Sequence, residues 1–114
     1  MGGRHDDAPP DLLKGTLDLL ILQTLTAGRQ HGYAIAQRIK ARSDDVLQIG
    51  ESSLYPALQR LLVKGAVKAE WGASENNRRA RYYTLTAVGR KHLAAERQNL
   101  DRIIVAIHKV LSPT

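Results

Sequence analysis

The stretch Ser52-Ser53-Leu54-Tyr55-Pro56-Ala57-Leu58-Gln59-Arg60-Leu61-Leu62 decides how this chain is read. Leu54, Leu58, Leu61 and Leu62 stand at i, i+4, i+7 and i+8, which lines one face of a helix with leucine. The other face keeps Ser53, Tyr55, Gln59 and Arg60, all able to hydrogen-bond. Ser52 or Ser53 is suited to cap the start by accepting from the free N–H groups there. That start puts Pro56 near the third helical position, where a missing N–H costs little. Gly65 then ends the helix. A helix apolar on one side and rich in donors on the other is built to seat in a core and present the rest to a partner.

Downstream, residues 66–71 alternate, with Val67, Ala69 and Trp71 on one face and Lys68 and Glu70 on the other, as a half-buried strand does. Residues 72–79 hold Gly, Ser and two Asn with no large apolar side chain, which reads as a hairpin tip. Residues 80–86 alternate again and are rich in Tyr and Thr, giving the returning strand. Alternation puts Arg81 and Tyr83 on one face and Tyr82 on the other, and leaves open which tyrosine packs. Thr86 can cap a last helix running to about Leu111, whose first turn Gly89 is expected to weaken. Upstream, a helix is expected from about His31 or Gly32 to Arg42, with Ile35, Ala36 and Ile39 inward and His31 helping to begin it. Before it, a helix from about Asp11 to Thr26 is apolar around most of its circumference, through Leu13, Leu17, Leu20, Ile21 and Leu25 with Leu12, Leu19 and Leu22. A helix of that kind has to be covered on more than one side. Residues 1–10 read as a tail.

The predicted order is helix, helix, helix, hairpin, helix. It describes a mainly α domain with a small β-hairpin: a winged helix-turn-helix over residues 11–86, followed by a C-terminal dimerisation helix over 87–114. The charge agrees. Of 114 residues, 17 are Lys or Arg and 11 Asp or Glu, a net charge of +6. Residues 1–28 are net −2, 29–64 net +3, 68–92 net +4 and 93–114 net +1. The surplus therefore sits on the helix-turn-helix and the wing, and nucleic acid is the first partner to consider. With no cysteine there is no disulfide framework, no thiolate nucleophile and no Cys zinc site. His5, His31, His92 and His108 form no i, i+3 or i+4 pair, so no metal is expected. No Ser–His–Asp order, paired-carboxylate cleft or phosphate-cradling glycine loop appears, so no catalytic residue and no cofactor is assigned. The longest strongly apolar run, Leu19–Leu22, is far too short for a membrane span, and the start lacks an apolar signal core. A cytoplasmic domain is expected.

His31-Gly32-Tyr33-Ala34-Ile35, then Ser53-Leu54-Tyr55-Pro56-Ala57-Leu58, Arg60-Leu61, Gly65 and Trp71, then Arg81-Tyr82-Tyr83-Thr84-Leu85-Thr86 with Gly89, resemble the PadR family of bacterial transcriptional regulators. The resemblance covers about residues 12–111 and looks like the shorter branch, with a single helix after the wing. It implies a homodimeric local repressor released from its operator by a small effector. PadR-like regulators include sensors of phenolic acids and a branch that sandwiches planar drugs between C-terminal tryptophans. This chain has no Trp or Tyr in residues 87–111, which argues against the sandwich.

The residues expected to touch DNA are Ser52, Ser53, Tyr55, Gln59 and Arg60 of the recognition helix, and Asn77, Arg78, Arg79 and Arg81 of the wing. Gln and Arg suit bidentate contacts to adenine and guanine edges, and hydroxyls suit phosphates. Three arginines in four positions beside two asparagines repel one another unless an anion lies between them. The last helix carries Leu93, Leu100, Ile103, Ile104, Ile107 and Leu111, with steps of 4, 3 and 4 from Leu100 onward, a heptad-like seam. With Leu17 and Leu20 it is the expected dimer interface. The expected partner is duplex DNA carrying an inverted repeat. The rival reading is a winged-helix protein–protein interaction module without DNA binding.

Overall fold

The computed structural model describes the backbone of residues 10–113 and side chains from Gly15 onward. It contains α1 (Pro10–Leu25), β1 (Gln30–His31), α2 (Gly32–Arg42), α3 (Glu51–Val63), β2 (Val67–Ala73), β3 (Arg79–Leu85) and α4 (Ala87–Leu111). Residues 1–9 of the expected tail lie outside the described residues, and Pro10 already opens α1. Among the described residues no helix is long and apolar enough to cross a membrane.

The helix α1 is the hub. Its Ile21, Leu22 and Leu25 are buried together with Ile35 and Ile39 of α2, Leu54, Ala57, Leu58 and Leu61 of α3, and Tyr83 and Leu85 of β3. It packs on α2, α3, β3 and α4, which is why so much of its circumference is apolar. The Gln30 side chain donates to the carbonyls of Thr24 and Gly28 and so closes the C-terminal end of α1.

His31 caps α2, its Nδ1 accepting from the Ala34 N–H at 3.2 Å. The connection to α3 begins with Asp44 and Asp45 at φ 53° and 68°. A short polar side chain tolerates this left-handed backbone, and the Asp45 N–H reaches back to the Lys40 carbonyl at 2.9 Å.

The helix α3 starts earlier than its serines suggest. Gly50, with extended backbone, is the N-cap and supplies no side-chain bond, so Ser52 and Ser53 are helical residues rather than caps. Pro56 accordingly stands at the sixth helical position, not near the third, and leaves the Ser52 carbonyl without an N–H. Pro56 is on the exposed side, where water can serve that carbonyl. The other end is a left-handed turn at Gly65, φ 75°, with the Gly65 N–H donating to Leu62 and the Ala66 N–H to Leu61.

The sheet is antiparallel and ordered β1-β3-β2. The strand β1, absent from the sequence reading, pairs Gln30 with Tyr83 and His31 with Tyr82, tying the start of α2 to the wing. Both hairpin strands extend further toward the tip than expected, and only residues 74–78 form the loop. Tyr83 packs in the core. Tyr82 lies on the outer face, its hydroxyl donating to the Ala73 carbonyl and the Arg29 guanidinium over its ring at 4.2 Å.

Thr86 caps α4 as expected, accepting from the Gly89 N–H while its own hydroxyl donates to the Gly65 carbonyl. Gly89 has another role than a weak spot. It is buried, and a Cβ there would lie 2.1 Å from the Ala66 carbonyl oxygen. Glycine is what lets α4 dock against the α3–β2 corner. Beyond that dock the helix becomes progressively exposed, and Ile104, Val105, Ile107, Val110 and Leu111 all face solvent.

Candidate nucleic-acid interface

The alternation of the hairpin continues past the edge of the core. Register pairs Val67 with Leu85, Ala69 with Tyr83, Trp71 with Arg81 and Ala73 with Arg79. Residues on that face are buried near α3 and become exposed toward the tip, so the same rule that places Leu85 and Tyr83 in the core places Arg81, Trp71 and Arg79 in front of it. There they form one wall of an open cleft of about 1150 Å³. The opposite wall comes from α2, through Tyr33, Gln37 and Arg38, with Tyr55 of α3 at the base.

The electrostatics of the cleft are one-sided. Arg38, Arg78, Arg79 and Arg81 line it, and Glu75 is the one acidic lining residue among those described. None of the four arginines forms an ion pair among the described residues. The hairpin tip is held by its own backbone: Ser74 N–H donates to Arg78 O at 2.8 Å and Asn77 N–H to Ser74 O at 2.9 Å, with Asn77 left-handed at φ 59°. Asn77 is thus a turn residue. Burial pushes the ionisation of Tyr83 above its ordinary value of 10.0; the positive charge of Arg81 works against the shift and nearby Tyr55 adds to it.

The residues expected to reach DNA divide into those that meet at this cleft and those that do not. Tyr55, Arg78, Arg79 and Arg81 line it. Ser52, Ser53 and Gln59 are exposed on α3 but do not line the cleft. Gly32 gives Tyr55 its room, since a Cβ there would stand 3.0 Å from the phenol ring and hydroxyl. Arg60 faces the other way. Its guanidinium donates to the Asp18 carboxylate on α1 at 2.8 and 3.5 Å, with the Asp18 side chain only 7% exposed. The sequence reading missed Tyr33, Gln37, Arg38 and Trp71 at the cleft. For Trp71 the strand alternation had put it on the inward face; what local pattern could not show is where the core stops.

Outside the cleft, Leu17, Leu20 and Leu93 are half-buried against the core. Gly15 and Leu19 of α1 and Glu96, Asn99, Leu100 and Ile103 of α4 line a groove of about 300 Å³. Ile104, Ile107 and Leu111 are exposed, Leu111 by 73%.

Residues 21–95 match the transcriptional regulator PadR-like family. An uncharacterised protein of Lysinibacillus sphaericus is 33% identical over 84 residues, which cover 74% of this chain and 77% of that protein. Among solved structures, a transcriptional regulator from Clostridium thermocellum superposes with a TM-score of 0.81 at 30% identity, over 90% of this chain and 99% of that one. A PadR family transcription regulator from Clostridium difficile gives a TM-score of 0.69 at 28% identity, over 84% and 98%.

Proposed function

This chain belongs to the PadR-like family of transcriptional regulators, and from that premise we propose that it is a homodimeric repressor that binds an inverted-repeat operator in duplex DNA and is released by a small effector. It regulates transcription through DNA and is not an enzyme. The observation that carries the finer reading is the cleft, lined by Tyr55 and by four arginines that have no carboxylate partner among the described residues. Such a cleft favours a polyanion. With the exposed serines and Gln59 of α3 in a major groove, the wing arginines reach the adjoining backbone and minor groove. In this reading Ser52, Ser53 and Tyr55 bind phosphates or sugars, Gln59 reads a base edge, and Asn77, Arg78, Arg79 and Arg81 anchor the wing. Arg60 is reassigned from base contact to holding α3 against α1, because Asp18 already occupies its guanidinium.

Dimerisation follows from the exposed half of α4. Ile103, Ile104, Ile107, Val110 and Leu111 form a continuous apolar surface that a monomer has little reason to leave in water. Two such helices, joined at the seam that includes Leu93 and Leu100 and flanked by Leu17 and Leu20 of α1, give the two-fold symmetry an inverted repeat requires. A dimer seated on promoter DNA acts by occupancy, which is repression, and its place of work is the cytoplasm. The groove between α1 and α4 is the effector site that fits best, being mostly aliphatic and beside the pairing face.

Selection of bound sequences from a random DNA pool tests the reading. An inverted repeat with half-sites about one helical turn apart (~34 Å) supports it. Recovery of no sequence at low salt, together with a monomer by light scattering, overturns it.

A further inference from the structure

Two arginine–aromatic stacks flank the sheet, one on each face. On the outer face Arg29 lies over Tyr82 at 4.2 Å and is neutralised by Glu70 at 2.6 Å. On the cleft face Arg79 lies over Trp71 at 4.7 Å, and no carboxylate answers it among the described residues. Trp71 is itself 59% exposed, an unusual position for the only tryptophan of the chain. The register explains the stack: Trp71 is opposite Arg81 and Arg79 is two residues further toward the tip, so the indole is within diagonal reach of Arg79.

We propose that Trp71 is a positioning residue that holds Arg79 for entry into a narrow, A·T-rich minor groove, giving the wing a preference for DNA shape. The proposal rests on the DNA-binding reading above. An indole under one face of a guanidinium leaves the in-plane N–H donors unengaged and restricts the side chain to one direction. Guanidinium is also weakly hydrated, so removing its water in a narrow groove costs less than for an ammonium. Narrow A·T minor grooves concentrate negative potential and attract arginine without reading individual bases. The stacked arginine is thus prepared for that groove, whereas Arg29, paired with Glu70, is engaged within the fold.

The test uses the full chain and a duplex bearing the inverted repeat recovered by selection, with the base pairs beneath the wings made A·T, G·C or I·C. I·C presents the major-groove face of G·C but the minor-groove face of A·T, lacking the guanine amino group. Wild type is expected to bind A·T and I·C flanks alike and G·C flanks about three- to tenfold more weakly. Trp71→Ala should bring the three within about twofold, Trp71→Phe should retain most of the preference, and Arg79→Lys should lose it. Thermal melting checks that each variant is folded, which the exposure of Trp71 and Arg79 favours. Equal binding of all three flanks by wild type, or an undiminished preference in folded Trp71→Ala, overturns the proposal while leaving DNA binding intact. Failure of wild type to bind any duplex overturns the DNA-binding reading and this proposal with it.

Discussion

Replacing Gly89 with alanine sets two physical effects against each other. Helix propensity alone favours alanine by up to about 1 kcal/mol in a helix interior, less in the first turn where Gly89 stands. Packing opposes it. The new Cβ would lie 2.1 Å from the Ala66 carbonyl oxygen and 2.7 Å from Leu85 Cδ1. The leucine methyl can rotate aside. The carbonyl cannot, because Ala66 is fixed by its N–H bond to Leu61 and by accepting from Thr86 N–H at 3.1 Å. An ordinary C···O separation is about 3.3 Å, so the first turn of α4 must retreat by roughly 1 Å. That retreat strains the Thr86 N–H bond and the 2.6 Å bond from the Thr86 hydroxyl to the Gly65 carbonyl. Two hydrogen bonds at about 1 kcal/mol each, with an overpacking penalty of about 1–3 kcal/mol and a propensity gain of up to about 1 kcal/mol subtracted, leave a net loss of about 2–4 kcal/mol. Urea unfolding followed by circular dichroism should show the midpoint fall with an unchanged m-value, and the melting temperature should drop by roughly 10 °C. A variant as stable as wild type, or more so, would refute the reasoning, since it would mean α4 docks with room to spare.

Three further outcomes follow from the geometry. Asp18→Ala leaves Arg60 without its carboxylate; because Arg60 is 29% exposed and can reach water, the loss should be about 2 kcal/mol by urea unfolding, below that of a fully buried pair. The double variant Asp18→Leu with Arg60→Met should recover part of it, and additive losses in that cycle would argue against the pair. Tyr83 ionises less readily folded than unfolded, so its contribution is fully present below pH 10.0 and is lost as pH rises further; Tyr83→Phe should flatten that alkaline limb, and an unchanged limb would assign it elsewhere. Arg78→Glu with Arg79→Glu should weaken binding to every duplex, lose the preference for A·T flanks that Arg79 carries, and flatten the slope of log K against log salt by about two to four, whereas an unchanged salt slope would contradict a wing that neutralises phosphates.

Where local pattern and tertiary packing agree, the elements were legible. The helix over 32–42 follows from Ile35 and Ile39, and its cap from His31. The limits of α4 and its Thr86 cap are those the residues suggest. The unreadable features share a cause: each depends on something distant in the chain. Two residues cannot display strand periodicity, so Gln30 and His31 are a strand only because Tyr82 and Tyr83 lie beside them. Gly50 caps α3 although two serines follow, because capping preference is a matter of about 1 kcal/mol that the packing of Leu54 and Leu58 overrides. Arg60 was readable as a donor but not as the partner of a carboxylate 42 positions earlier. Gly89 looked like a helix defect because Ala66, its reason, lies 23 positions earlier in the turn between α3 and β2.

The closure of the wing by bonds confined to residues 74–78 bears on how its length can change. Among the described residues no hydrogen bond of the loop backbone reaches into the body of the domain, so residues added there disturb only the tip. Strand geometry then imposes a parity. Two residues added to each strand lengthen the hairpin and keep Arg79, Arg81 and Trp71 toward the cleft. A single residue inserted in one strand turns every side chain beyond it to the opposite face, sending the cations outward with the Arg29 and Tyr82 pair. Relatives with longer wings should therefore differ by even steps or absorb an odd residue as a bulge.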